Sequence, residues 1–582
     1  MADQIPLAEY LFRRLSEVGV RSVHGVPGDF NLTACDYVLS TGLRWVGNAN
    51  ELNAGYAADG YARVNGVGAL ITSFGVGELS AINAIGGSYA EKAAVVHIVG
   101  SPPRAAQESG ACLHHSLGDG NFNVFSDMHK LVTVAQARLF DPETATGLID
   151  HALEQCVLHS RPVYINLPSD MVPVKVYAPT RPISRAIPGY SEAFEDSMVN
   201  ALVSRMQSAK RPMILVDGFT TRFDVRKEVN DLVRLTGFPT LTTPFGKGLL
   251  NESASNFHGV YYGMAGDAAH HEAVQGSDLV LRFGPLNSDV NTFGGTAIPN
   301  PEVTVTFEKQ SVHLGDKVQA RDGEVVSIKS LLGKLLARLQ GVQLASEPFP
   351  PNPDLPRELL KTVPIRGDDA TVDQYSFWLR ISEYFRPGDV ILTETGTSSY
   401  GGQSIHLPDD TAVINSSIWL SIGYMLAASQ GVSLAQRELI ASSSRPAGRT
   451  ILFEGEGSLQ MSAQSISDII RNKLDITIFV LNNNGYTIER VIHGFSASYN
   501  DIQPWRNLEA PSYFGAPADD PSYPVTTRRV ENWGELRAVL GDDVIREGRG
   551  LNMIEVFMDM ADCPASLRTF ANYLSKKNGG GS

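Results

Sequence analysis

Cysteine is scarce in this sequence. Cys35, Cys112, Cys156 and Cys563 are the only four in 582 residues, and no two of them form a CxxC pair. That spacing supports neither a disulfide framework nor a zinc site, and all four are expected to be buried, reduced thiols. Basic charge is in deficit too: 48 Lys and Arg against 63 Asp and Glu leave a net charge of −15. The balance argues against nucleic acid or an anionic membrane surface as a partner and favours a small molecule. No run of 18 apolar residues occurs, and the opening MADQIPLAEYLFRRL has no basic leader ahead of an apolar stretch. A cytoplasmic protein without a membrane partner is therefore expected. The closing NGGGS after Lys577 reads as a flexible linker or appended scar and is set aside from fold reasoning.

What is present is an ordinary globular composition, 43% apolar and 19% charged, in a chain long enough for roughly three or four domains. Short β-branched runs alternate with stretches of helical length, the pattern of mostly parallel sheets covered by helices, so the fold class is α/β. Buried strands are expected over residues 68–73, 95–99, 163–167, 213–216, 279–283, 390–393, 450–453, 476–481 and 553–557. The proline-rich stretches APTRPISRAIPG (178–189) and EPFPPNPDLP (347–356) cannot sustain helices or central strands. They divide the chain into three Rossmann-like domains, 1–180, 190–345 and 357–575, the first and third reading as two versions of one α/β plan.

The most informative window is TILFEGEGSLQMSAQSISDIIRNKLDITIFVLNNNGYTIE, Thr450 to Glu489. A strand ends in Gly455-Glu456-Gly457-Ser458, a helix with apolar positions Ile466, Ile469 and Ile470 follows, and a second strand ends in Asn482-Asn483-Asn484-Gly485-Tyr486. One βαβ unit with a right-handed crossover sets the carboxyl ends of both strands on the same sheet edge. Glycines there allow a diphosphate close to the backbone, the helix N-terminus favours anions, and Glu456 with Asn483 offers oxygens for a hard cation. Either loop alone would read as a helix cap or an Asn-rich turn; their pairing across one crossover points to a site.

G-[DE]-G-S, a crossover helix and then N-N-x-G-Y-T-I-E resembles the cofactor motif of thiamine-diphosphate enzymes, and the surrounding residues resemble fungal pyruvate decarboxylase. The likeness runs through PGDFNL (27–32), GNANELNAGYAADGYAR (47–63), FGVGELSA (74–81), LHHSLG (113–118), ETGTS (394–398) and TIERVIHG (487–494). It implies a pyrimidine-binding first domain, a middle domain and a diphosphate-binding third domain. Thiamine diphosphate and Mg2+ are implied as cofactors, with active sites at the subunit interface of a homodimer or homotetramer. The implied reaction is non-oxidative decarboxylation of a 2-keto acid, pyruvate first, to an aldehyde and carbon dioxide through an enamine.

Residue by residue, the resemblance makes Glu51 the acid that tautomerises the cofactor's aminopyrimidine. The small residues Ala54, Gly55, Ala57 and Ala58 fit a helix packed tightly around a carboxyl held out of water. Ile422 is the implied wedge that bends the cofactor, and Leu420 stands where relatives often have glycine. Thr397, Gly455, Glu456, Gly457, Ser458, Asn483, Gly485 and Tyr486 complete the cofactor site, with Glu456, Asn483 and Gly485 on the metal. The family normally has Asp where this chain has Glu456, and the extra methylene requires the loop to retreat or the metal to shift. Asp29, His114, His115 and Glu489 match the proton-handling set. Ser399, Tyr400, Ile488 and Ile492 match the substrate pocket, the first two replacing the Ala and Phe common in fungal pyruvate enzymes. Gly218-Phe219-Thr220-Thr221 and Lys92 stand where those enzymes carry a cysteine linked to substrate activation and a histidine facing it, so a thiol activation route is not expected.

Four rival readings stand beside pyruvate decarboxylation. A decarboxylase preferring phenylpyruvate, indolepyruvate or branched-chain keto acids needs only a different pocket wall. A carboligase forming acyloins or acetolactate shares the cofactor chemistry but has no need of rapid protonation by Asp29, His114, His115 and Glu489. A metal-impaired assembly subunit has Glu456 in its favour and the intact Glu51 and His pair against it. A nicotinamide dehydrogenase rests on Gly75-Val76-Gly77 alone, with Ser80 breaking the dinucleotide fingerprint.

Overall fold

The structure, a computed structural model, describes residues 4–179, 181–314, 317–318 and 325–577; the NGGGS tail lies outside them. All nine expected strands are present, most extended by one or two residues. They are the central, fully buried strands, whose continuous apolar runs follow from burial on both faces.

The first sheet has six parallel strands in the spatial order Arg44–Gly47, Ser22–Gly25, Gly68–Ser73, Val95–Ser101, Val163–Pro168, Gln136–Arg138. The last sheet runs Ala412–Ile414, Val390–Thr393, Thr450–Gly455, Ile476–Asn482, Leu551–Phe557, Val525–Val530, also parallel throughout. Numbered by chain order within each sheet, both read 2-1-3-4-6-5, so the first and third units do repeat one plan. The middle sheet differs: its order begins 3-2-1-4-5 in parallel strands and then adds an antiparallel extension from Val312–Leu314 onward. In each outer sheet the winding direction reverses between the first and third strands. That is where ligands of open α/β sheets collect, beyond the carboxyl ends.

The outer units pack through the helices Glu51–Asn65 and Tyr424–Ala441. A Cβ on Gly431 would lie 1.8 Å from the Ala57 carbonyl oxygen, and one on Gly60 would lie 2.3 Å from that of Ala428. The helices therefore touch backbone to backbone, which explains the run of small residues in NAGYAADG. Polar contacts flank the crossing: Tyr61 Oη donates to Glu438 (2.5 Å) and Asn48 Nδ2 to Gln430 (2.7 Å).

Two expectations need correction. The crossover after Gly455 is two helices, Glu456–Ser462 and Ser465–Arg471, not one; the break lets Ser462 Oγ donate to the Gly423 carbonyl (2.6 Å). The cysteines are free but not all buried, since Cys112 is exposed and Cys35 half-buried. Ile422, the implied wedge, is 38% exposed on the chain surface.

Candidate active site

At the edge of the last sheet the two motif loops converge. Glu456, the first residue of its helix, sends Oε1 across to accept the Gly485 N–H at 2.7 Å. Gly457 is pinned beneath the Tyr486 ring, 2.6 Å from where a Cβ would stand. Ser458 Oγ accepts the Gly455 N–H (3.1 Å) and donates to its carbonyl (3.0 Å). Glu456 and Asn483 are buried, and burial pushes the Glu456 carboxyl up to about 7 against the lowering pull of the backbone N–H groups. A buried carboxylate beside a carboxamide and a backbone carbonyl is an all-oxygen set suited to a hard divalent cation. Thr397 opens the short helix Thr397–Gly401 that follows the neighbouring strand.

Two acids that motif matching left unassigned lie behind these loops. Glu394 is fully buried and accepts the N–H groups of Thr395 (2.7 Å) and Met425 (2.8 Å), holding the start of the Tyr424–Ala441 helix. Glu454 is also fully buried, and neither of its oxygens has a hydrogen-bond partner. Burial raises both carboxyls, Glu394 to about 7, and repulsion from Glu394 raises Glu454 further. Beside them Leu420 adopts φ 53°, the left-handed backbone that glycine takes at no cost and that strains a leucine by about 1 kcal/mol. The segment leading to Ile422 is braced by the first unit: Glu91 Oε1 accepts from Ser416 Oγ (2.5 Å) and Ser417 N (3.1 Å), and Trp419 Nε1 donates to Asn83 (3.0 Å).

At the edge of the first sheet Asp29, His114 and His115 come together, their ligating atoms all within 4.8 Å of one another. His114 Nε2 lies 2.5 Å from Asp29 Oδ2, Phe30 stacks on the His114 ring at 4.9 Å, and His115 has φ 65°. Glu51 heads its helix, where Asn50 caps by accepting the Asn53 N–H (2.8 Å). The turn at Gly75 joins these groups: a Cβ on Gly75 would strike the His115 carbonyl oxygen at 2.1 Å, and one on Gly77 would lie 3.2 Å from Glu51 Oε1. Glu78 fixes that turn, its Oε1 accepting the Gly75 N–H (2.9 Å) and its Oε2 the Tyr164 hydroxyl (2.8 Å). Burial pushes Glu78 up to about 7.

Among the described residues, no hydrogen bond or ion pair joins Asp29, Glu51, His114 or His115 to the Gly455–Ser458 loop, the Asn483–Tyr486 loop or Glu489. Glu489 is exposed on the helix Thr487–His493, Glu51 is half-exposed rather than held out of water, and the His114 and Asp29 side chains are 56% and 50% exposed. Of the pocket residues, Tyr400 is buried with Phe293 and Phe570 in a cluster that Ile488 also touches, while Ser399 and Ile492 are half-buried.

Three family profiles match along the chain: the thiamine pyrophosphate enzyme N-terminal TPP binding domain over residues 5–123, the central domain over 199–335 and the C-terminal TPP binding domain over 394–556. A pyruvate decarboxylase of Aspergillus parasiticus is 46% identical, covering 98% of this chain and 97% of its own length. The chain belongs to the thiamine pyrophosphate enzyme family, in its pyruvate decarboxylase branch. Pyruvate decarboxylases of Aspergillus fumigatus (42% identical, covering 99% of this chain and 98% of the relative) and Kluyveromyces lactis (39%, 97% of each) are similar over the same extent. This family member is thus a thiamine-diphosphate-dependent carboxy-lyase. Between the first and middle segments, Lys92 Nζ sits 4.3 Å over the Phe219 ring, a cation–π contact.

Proposed function

We propose that this enzyme decarboxylates pyruvate to acetaldehyde and carbon dioxide, using thiamine diphosphate and Mg2+, as a cytoplasmic homodimer or homotetramer whose active sites lie between subunits. The segments 1–180, 190–345 and 357–575 serve as its pyrimidine-binding, middle and diphosphate-binding domains. What carries the reading is a pair of incomplete half-sites in one chain that, among the described residues, no hydrogen bond or ion pair joins. Each stands at the reversal point of an identically wound sheet, and apolar side chains of the wedge segment and the crossover, Ile418, Trp419, Ile422 and Met461, are left exposed. Such a surface calls for a partner.

When bound, thiamine diphosphate supplies the carbon nucleophile and the electron sink for loss of carboxylate. Around it, Gly455, Gly457 and Ser458 give the diphosphate a glycine-lined helix N-terminus. Glu456, Asn483 and the Gly485 carbonyl hold the cation, and Thr397 and Tyr486 flank them. Leu420, by its backbone, and Ile422, by its branched side chain, would support the middle of the cofactor. Glu51 hydrogen-bonds the pyrimidine end. Asp29 holds the His114 imidazole at Nε2, and His114, His115 and the partner's counterpart of this chain's Glu489 supply and accept protons at the reacting carbon and oxygen. Ser399, Tyr400, Ile488 and Ile492 wall the substrate and exclude water, which favours dispersal of carboxylate charge.

Replacing Glu51 by Gln tests the reading. With pyruvate, thiamine diphosphate and Mg2+, acetaldehyde formation should fall by at least about 100-fold while sedimentation and circular dichroism stay unchanged. Retained turnover would sink it. Parallel assays with phenylpyruvate, indolepyruvate and branched-chain keto acids rank the substrates.

A further inference from the structure

A cavity of about 390 Å³ lies between the middle and third domains, beside the proline-rich segment that joins them. None of the candidate catalytic, cofactor or substrate-pocket residues lines it. Two buried carboxamides do. Gln374 has no exposed surface, and its Oε1 accepts the Trp378 indole N–H at 2.7 Å, which fixes the orientation of the amide. Its Nε2 is left as a donor without an acceptor. Gln403 is 5% exposed, and its Oε1 has no donor. Buried amide groups are rarely left unpaired, because the desolvation they suffer is then uncompensated.

The walls say what would pair with them. Tyr262, Phe293 and Tyr375 offer flat apolar faces, and the carboxylates Asp267 and Asp354 stand in the lining. No lysine or arginine lines the cavity, and its one histidine, His270, is engaged by Nε2 with the Pro350 carbonyl at 3.0 Å. A 2-keto acid, or any carboxylate, would meet like charge there without a counter-ion, so this is not a second substrate site. A flat neutral ring between aromatic faces, carrying one acceptor and one donor on an edge, meets every unpaired group.

We propose that this interdomain cavity binds an uncharged aromatic molecule with an amide-like donor and acceptor edge, anchored by Gln374 and Gln403. An occupant would bear on the catalytic third domain through Trp378. The indole nitrogen of that residue lies 1.9 Å from where a Cβ on Gly401 would stand, at the end of the helix that begins with Thr397.

Nicotinamide and benzamide are the probes, with benzoate as the isosteric anion, titrated against the full-length protein by calorimetry and ligand-observed saturation transfer. Both amides should bind saturably and benzoate at least about tenfold more weakly. Gln403→Leu, which keeps the volume and removes the hydrogen bonds, should weaken the amides by about tenfold or more. Ala565→Trp, at an exposed lining position, should block them without disturbing a buried contact, as an unchanged melting temperature verifies. Failure of both amides to saturate, equal binding of benzoate, or amide binding indifferent to Ala565→Trp would each overturn the proposal.

Discussion

Glu456 stands where the family resemblance implies an aspartate. Its extra methylene is taken up by reaching to the Gly485 N–H, so one carboxylate oxygen is already engaged where the shorter acid would face the cation alone. Glu456→Asp frees that amide and draws the carboxylate back toward the loop. The variant should bind Mg2+ and thiamine diphosphate as tightly as the wild type or up to about tenfold more tightly; calorimetry giving a large loss of affinity would refute this account. Glu78 makes a prediction of a different kind. Its folded pKa of about 7 lies above the ordinary value of 4.5. The stability it contributes is therefore complete below about pH 4.5 and disappears as pH rises through 7, a swing of about 3 kcal/mol. Urea unfolding of the cofactor-free protein across that interval should show a steeper decline for wild type than for Glu78→Gln, and parallel curves would contradict the assignment.

Elements differ in how much of them could be read from sequence. The nine central strands were legible because burial on both faces demands unbroken apolar runs. Edge strands such as Arg44–Gly47, Gln136–Arg138 and Val525–Val530 were not, because a strand with one free edge keeps charged residues and is defined by its neighbour's hydrogen bonds. The motif loops announced themselves through glycine, acid and amide at close spacing. Glu78, Glu394 and Glu454 did not, since their character comes from Tyr164, Met425 and one another, 86, 31 and 60 residues away in sequence. The small residues of Glu51–Asn65 announced close packing but not its partner, the helix Tyr424–Ala441, because that helix comes about 360 residues later in the chain. Gly431→Ala drives a methyl into the Ala57 carbonyl and should cost about 1–3 kcal/mol. A thermal melt lowered by several degrees is expected, and an unmoved melt would mean the helices part freely.

The molecule as a whole is assembled from a sheet plan used twice, at its beginning and its end, with a differently wound sheet between them. The charge of −15 keeps such a body soluble while its uncharged wedge segment remains uncovered. The proposed assembly gives each chain the acid half of one centre and the cation half of another, so it predicts that damage to the two halves can be separated. Glu51→Gln and Glu456→Ala should each silence the enzyme when every subunit carries the same change. Mixed after partial unfolding and refolded together, the two dead preparations should regain activity, because a hybrid pair concentrates both lesions in one centre and leaves its twin whole. Complementation of this sort yields at most half of the full rate per hybrid dimer, and silence in every mixture would mean that each chain works by itself.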